Sequence, residues 1–225
     1  MKIIEVKNYK ELSRIASNII IEEINKKPNI VIGFASGKTP KNTYKNLVKA
    51  YKNKKVDFSK ITSFNVDEFY PIKKESKKSY YRYLFTNLLN KVNVNKKKIF
   101  LINGDTKNSE KECFNYEKRI KENPIDLQLL GIGENGHIGF NEPGSSRNSK
   151  TRVVKLTHIE GTAITMGIKT IMKAKKIILL ASGKKKAKAI YGLVKGKITE
   201  EVPASFLREH KNFILIIDRK AGSLL

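Results

Sequence analysis

The chain has little sulfur, little acid and no long apolar run. Its single cysteine, Cys113, cannot close an intramolecular disulfide and is no basis for a metal cluster. No stretch approaches the roughly 20 consecutive apolar residues that a membrane span needs, so no membrane partner is expected. The N-terminal "MKIIEVKNYKELSRIAS" has no apolar segment followed by a small-residue cleavage site. It does not read as a secretion signal, and the cytoplasm is the expected compartment. Only 21 Asp and Glu face 46 Lys and Arg, a formal charge of +25. Arginine is scarce among the bases, at seven of those 46. A basic surface attracts phosphate backbones, but arginine is the preferred reader of bases and phosphates. The lysines are spread over nearly every polar segment, alongside abundant Asn and Ile. Such a spread describes solvated faces filled with lysine, so no specific nucleic-acid partner is expected. Attraction for anionic small molecules follows from the charge in any case.

What is present is an ordinary globular composition. A chain of 225 residues, 40% of them hydrophobic, is long enough for one α/β domain with a full core. Short apolar runs alternate with amphipathic stretches along its length. Strands are expected at Asn29–Ala35, Ile61–Val66, Lys98–Ile102, Asp126–Ile132, Arg152–Leu156, Lys176–Ala181 and Asn212–Asp218. Helices are expected at Tyr9–Asn25, Pro40–Lys52, Ser79–Leu89, Ser109–Lys121, Gly167–Lys173, Lys184–Leu193 and Ala204–Glu209. Several strands are apolar on both faces, as buried parallel strands are. The expected fold is α/β: an open, mostly parallel, doubly wound (Rossmann-like) sheet with helices on both faces. Neither a repeat nor a composition break divides it, so residues 1–225 read as a single domain. In such sheets ligands bind beyond the carboxyl ends of the strands, which directs attention to three loops.

The first is "GFASGKTP", Gly33 to Pro40. Small residues let backbone N–H groups approach an anion, and a following helix N-terminus favours negative charge. Ser36 and Thr39 add hydroxyls. The stretch is not a P-loop, whose pattern G-x-x-x-x-G-K-[ST] it does not meet. Against an anion site stands a plain strand-to-helix turn with Thr39 as its cap. The second loop is "SFNVDEFYP", Ser63 to Pro71, where Asp67 and Glu68 follow a buried strand beside aromatic rings. A carboxylate held there is partly desolvated, and its pKa rises toward the range of a general base. The bland reading makes Asp67 a turn cap. The third is "LLGIGENGHIGFNEPG", Leu129 to Gly144. After a buried strand it gathers Glu134, Asn135, His137, Asn141 and Glu142 among glycines. His137 moves protons near neutral pH, and a carboxylate such as Glu142 holds an imidazole in one tautomer and favours its charged form.

Taken in order, the three loops resemble the glucosamine-6-phosphate deaminase family, which is related to the 6-phosphogluconolactonases. Residues 33–40 meet its "G-[LF]-A-[ST]-G-x-T-P" pattern, residues 64–68 its "F-N-x-D-E", and residues 131–143 its "G-x-G-x-[DN]-G-H-I-[AG]-F-N-E-P". The "LTH" at Leu156, the stretch from "ITMGIKT" to "SGKKKAKAI", and "VPASFLREH" extend the likeness over nearly the whole chain. The resemblance implies isomerising deamination of glucosamine 6-phosphate to fructose 6-phosphate and ammonium, with no metal or organic cofactor. It implies Asp67 as the base at C2 and C1. His137, oriented by Glu142 and Asn135, opens the sugar ring. Ser36, Gly37, Lys38, Thr39 and Gly133 hold the substrate, with Lys186 as a distal cation. The expected partner is a small amino-sugar phosphate, bound by a monomer or homo-oligomer.

Two departures from the family pattern stand out. Asn135 occupies a position where many members carry Asp. Between "LTH" (Leu156 to His158) and Ala163 the chain is roughly 20 residues shorter than the family, and the missing segment is a lid that brings an arginine to the sugar phosphate. A lost lid weakens water exclusion and phosphate binding. It leaves room for other readings: an enzyme on another hexosamine phosphate or on 6-phosphogluconolactone, or a non-catalytic sugar-phosphate-binding module. Ser145 and Arg152 match part of an allosteric region known in some members, but Val154 replaces a lysine there, so activation by an N-acetylated sugar phosphate is not expected.

Overall fold

A computed structural model describes residues 1–157 and 160–225. The chain begins with β1 (Lys2–Val6), α1 (Tyr9–Lys26), β2 (Val31–Phe34), α2 (Lys41–Lys52) and β3 (Thr62–Asn65). It continues through β4 (Asp67–Tyr70), α3 (Tyr80–Asn87), β5 (Ile99–Phe100), α4 (Ser109–Glu122) and β6 (Leu127–Gly131). Then come β7 (Arg152–Lys155), β8 (Thr162–Thr165), α5 (Ile168–Ile171), β9 (Lys176–Ala181), α6 (Ala187–Val194) and β10 (Phe213–Asp218). Short 3-10 turns fill Leu89–Lys91, Lys96–Lys98, Lys184–Lys186 and Pro203–Glu209.

Among the described residues, seven strands form one sheet in the order β1-β10-β9-β6-β2-β3-β5, and every neighbouring pair is parallel. From β2 the chain winds outward through β3 to β5. It then returns to β6 on the other side of β2 and winds outward through β9 and β10. The winding therefore reverses between β2 and β6, and that reversal opens the crevice where a parallel sheet takes its ligand.

Alternation along the strands sends side chains to two cores. Ile32, Phe34, Leu127, Leu129, Leu180 and Ile216 pack with Leu12, Ala16, Ile20 and Ile24 of α1 and with Tyr44 and Leu47 of α2. The four α1 residues recur every fourth position, which makes one apolar stripe on the helix. Val31, Phe64, Leu130, Leu179 and Leu215 turn the other way, onto Tyr116 of α4, Ile171 and Ile190. Helices thus cover both faces of the sheet, as the sequence pattern requires.

The structure moves several boundaries. Arg152–Lys155 leaves the main sheet and joins β4 and β8 in a separate antiparallel sheet ordered β4-β8-β7. Its residues alternate between exposed and half-buried, the pattern of a one-sided antiparallel strand. Three strands carry no clear periodic signal: β1 is mostly exposed, and β4 and β8 are four residues each. The first three residues of the Lys184–Leu193 stretch, and all of Ala204–Glu209, wind as 3-10 helix. Thr39 does not cap α2: Pro40 holds the cap position, with no side-chain bond.

Candidate active site

Four strand-end loops close on one cleft of about 1050 Å³. It is lined by Ser36, Gly37, Lys38 and Thr39 after β2, by Asp67 after β3, by Gly133, Asn135 and His137 after β6, and by Lys186 after β9. These are nine of the ten residues singled out in the sequence. The tenth, Glu142, is buried and does not line the cleft.

The loop after β2 has the form of an anion cradle. Gly37 has φ +110, a conformation that costs a side-chain-bearing residue dearly. The hydroxyl of Ser36 is buried and has no hydrogen-bond partner. Among the described residues, the backbone N–H groups of Ser36, Gly37, Lys38 and Thr39 donate to no protein acceptor. A buried hydroxyl without a partner is uncommon in a native fold, and here it sits beside four N–H groups that a ligand would also satisfy.

The two acids of the second loop have separate fates. Both belong to β4, not to a turn, and pair with β8 through Asp67↔Thr165 and Glu68↔Ile164. Asp67 is 7% exposed, and burial, with a smaller push from Glu68, raises its carboxyl to about 8. Glu68 faces away from the cleft and accepts from the Ser79 hydroxyl and the N–H groups of Phe69, Tyr80 and Tyr81 at 2.7–2.9 Å. It clamps the first turn of α3 to β4. That clamp fixes Tyr80 at the cleft wall, where it stacks on Phe140 with ring planes 7° apart.

In the third loop, Asn135 meets the imidazole. Asn135 Oδ1 accepts from the His137 backbone N–H at 3.2 Å and lies 2.7 Å from His137 Nδ1. An oxygen already accepting the backbone proton makes Nδ1 the protonated nitrogen of neutral His137. Glu142 Oε2 accepts from the Thr157 N–H and hydroxyl at 2.8 and 2.6 Å. Asn141 Oδ1 accepts from Arg152 Nη1 at 2.9 Å, and Arg152 Nη2 donates to Ser145 at 3.3 Å, which ties those two residues together behind the loop. Gly139 has φ +58, and a Cβ there would stand 2.7 Å from Val66 and 2.9 Å from the Thr165 hydroxyl, the strand neighbours that seat Asp67.

Lys186 is half-buried, and desolvation lowers the pKa of its ammonium. Its loop is anchored by Asp218, which accepts from the Gly183 N–H at 3.0 Å and the Ser182 hydroxyl at 2.5 Å. Lys184 and Lys185 line the same mouth. The sequence reading missed Tyr80 and Phe140 as cleft residues. An aromatic at the start of an amphipathic helix was the available signal for Tyr80. A groove of similar size beside α4 touches Pro124, Ile125, Lys173 and Ala174, which precede β6 and β9, so it lies at the opposite ends of the strands.

The segment read as shortened falls in the connection between β7 and β8. Lys155 pairs with Thr162, and the Leu156 N–H donates to the Gly161 carbonyl at 3.0 Å. His158, which closes the "LTH" motif, lies outside the described residues. Among those residues no helix is long and apolar enough to cross a membrane.

Comparison with known proteins agrees with this geometry. Residues 7–215 match the family described as glucosamine-6-phosphate isomerases/6-phosphogluconolactonase. A glucosamine-6-phosphate deaminase of Clostridium novyi (strain NT) is 48% identical, with all of both chains covered. One of Thermoanaerobacter sp. (strain X514) is 44% identical, covering all of this chain and 95% of its own. Both alignments run over 241 positions against 225 residues here, which leaves 16 positions as gaps in this chain. A solved monomeric glucosamine-6-phosphate deaminase superposes with a TM-score of 0.98 at 39% identity over all of both chains. A 6-phosphogluconolactonase from Trypanosoma cruzi shares the fold, with a TM-score of 0.82 at 24% identity.

Proposed function

The chain belongs to the glucosamine-6-phosphate isomerase/6-phosphogluconolactonase family, and on that premise we propose how its cleft acts. The reaction is the isomerising deamination of glucosamine 6-phosphate to fructose 6-phosphate and ammonium. Residues 36–39 take the phosphate through their N–H groups and the Ser36 hydroxyl, with Lys186 supplying charge, while Gly133 lets the His137 ring lie against the substrate loop. His137, its Nδ1 proton held by Asn135, exchanges a proton with the ring oxygen through Nε2 and opens the pyranose. Glu142 stands behind this loop as the carboxylate that favours the imidazolium. Asp67 then removes the C2 proton of the open aldehyde and returns it to C1, giving the imine at C2. Water hydrolyses that imine and ammonium departs.

Ring opening and C2 deprotonation occur at different atoms, so two acid–base groups are needed, each near its own proton. The observation that carries the reading is the convergence of Asp67 and His137 in one cleft with an unsatisfied anion cradle. No metal or organic cofactor enters these steps. We place the reaction in the cytoplasm, with a monomer or homo-oligomer as the working form and no nucleic-acid or membrane partner. The test is ammonium and fructose 6-phosphate release by the purified protein, beside Asp67→Asn. Turnover in the parent alone supports the assignment. A parent that binds the sugar phosphate without turnover would make the chain a binding module.

A further inference from the structure

Three tyrosine hydroxyls from three helices end on the same five-residue loop. Tyr44 of α2 donates to the Ala35 carbonyl at 2.5 Å, Tyr83 of α3 to the Gly37 carbonyl at 2.5 Å, and Tyr9 of α1 to the Lys38 carbonyl at 3.0 Å. The Tyr9 hydroxyl also accepts from the Asn42 N–H at 3.2 Å, which joins the loop to the first turn of α2. Tyr44 and Tyr83 touch edge to face at 6.3 Å, so two of the three are braced against each other.

A trans peptide is planar, and its C=O and N–H point in opposite directions. Pinning the carbonyl of one residue therefore fixes the N–H of the next. The three pinned carbonyls, of Ala35, Gly37 and Lys38, set the N–H groups of Ser36, Lys38 and Thr39. These are among the donors with no protein acceptor.

We propose that Tyr9, Tyr44 and Tyr83 are positioning residues for the substrate phosphate, holding the loop with its N–H groups turned into the cleft before the ligand arrives. The inference rests on residues 36–39 being the phosphate site. A carbonyl left unpinned can rotate toward the anion, and the loop then spends binding energy on being ordered. Burial raises the pKa of the Tyr44 and Tyr83 hydroxyls, so both stay protonated donors across the working pH range. In each case Phe would preserve the ring packing and delete only the hydroxyl.

Tyr9→Phe, Tyr83→Phe and the double variant test this. Inorganic phosphate is titrated into each by NMR, following the amides of residues 36–39, and KM and kcat for glucosamine 6-phosphate are measured beside the thermal midpoint. The expected result is a phosphate Kd and a KM raised by roughly five- to tenfold per hydroxyl, with kcat within about twofold and the fold intact. Tyr9, half-buried at the start of α1, carries the least risk to folding. Unchanged phosphate affinity in both single variants, in a parent that binds phosphate at residues 36–39, overturns the inference and leaves the phosphate site standing. A parent whose amides at 36–39 ignore phosphate removes the site itself, and the inference with it. A fall in kcat equal to the rise in KM would also overturn it, since that marks general damage and not positioning.

Discussion

Gly133 and His137 lie so close that a methyl group on residue 133 would stand 2.2 Å from the imidazole Cε1. The ring fills the space that glycine leaves, and from there its Nδ1 lies 2.7 Å from Asn135 Oδ1. Gly133→Ala must push the imidazole aside and break this bond. The expected loss is about 100-fold in kcat, the scale of a misplacement near 1 Å, with the chain still folded. Steady-state kinetics beside circular dichroism decide it, and a kcat near that of the parent would show that the ring position does not matter.

Asp67 is a site where activity costs stability. Its carboxyl titrates at about 8 in the fold against an ordinary value of 3.8. Between those pH values the folded chain keeps a proton that the unfolded chain has released. Unfolding then releases a proton, so stability falls as pH rises through this window and levels off above it. Asp67→Asn has no carboxylate to ionise in a buried place. The variant should lose turnover and gain thermal stability, with the gain absent near pH 4 and largest near pH 8. Each 1 kcal/mol is worth roughly 2–4 °C at this chain length. Melting curves at pH 4, 6 and 8 measure it, and an unchanged or lower midpoint at pH 8 counts against the desolvated carboxylate.

The motifs were legible because their chemistry is local, whereas their support was not. Residues 33–40 and 131–143 could be read as strand-end loops from glycine spacing and the runs before them. Asp67 could be marked as a base, but its strand could not be seen: four residues pairing with Thr162–Thr165 far down the chain carry almost no period of their own. Glu68 looked equivalent to Asp67 until α3 was placed over it. The tyrosine hydroxyls reach carbonyls 9, 29 and 46 residues away, and an aromatic on a helix face reads simply as core. The sheet order was recoverable as a class but not strand by strand, since the one-sided pattern of Arg152–Lys155 did not tell which sheet it joins.

Asn135 is a neutral partner of the imidazole. A neutral amide holds Nδ1 without adding negative charge, so Asn135→Asp places a carboxylate 2.7 Å from the ring nitrogen. A neighbouring anion favours the charged imidazolium. The His137 resonance in an NMR titration should move to higher pH than in the parent, with kcat/KM shifting in step. A titration that does not move would mean that the side chain at 135 does not face the ring in solution.

The excess of cations predicts a kinetic signature in place of a nucleic-acid site. The formal charge is +25, Lys184, Lys185 and Lys186 ring the cleft mouth, and the proposed substrate carries a phosphate. Long-range attraction speeds the encounter and is screened once the Debye length falls from about 30 Å at 0.01 M salt to about 8 Å at 0.15 M. It acts on association, so kcat/KM should fall roughly three- to tenfold between those salt levels while kcat stays nearly constant. Lys184→Glu with Lys185→Glu should flatten the dependence, because both side chains are exposed and their loss leaves the Asp218 anchor of that loop in place. Equal salt slopes in parent and variant would assign the effect to the whole surface and not to the mouth of the cleft.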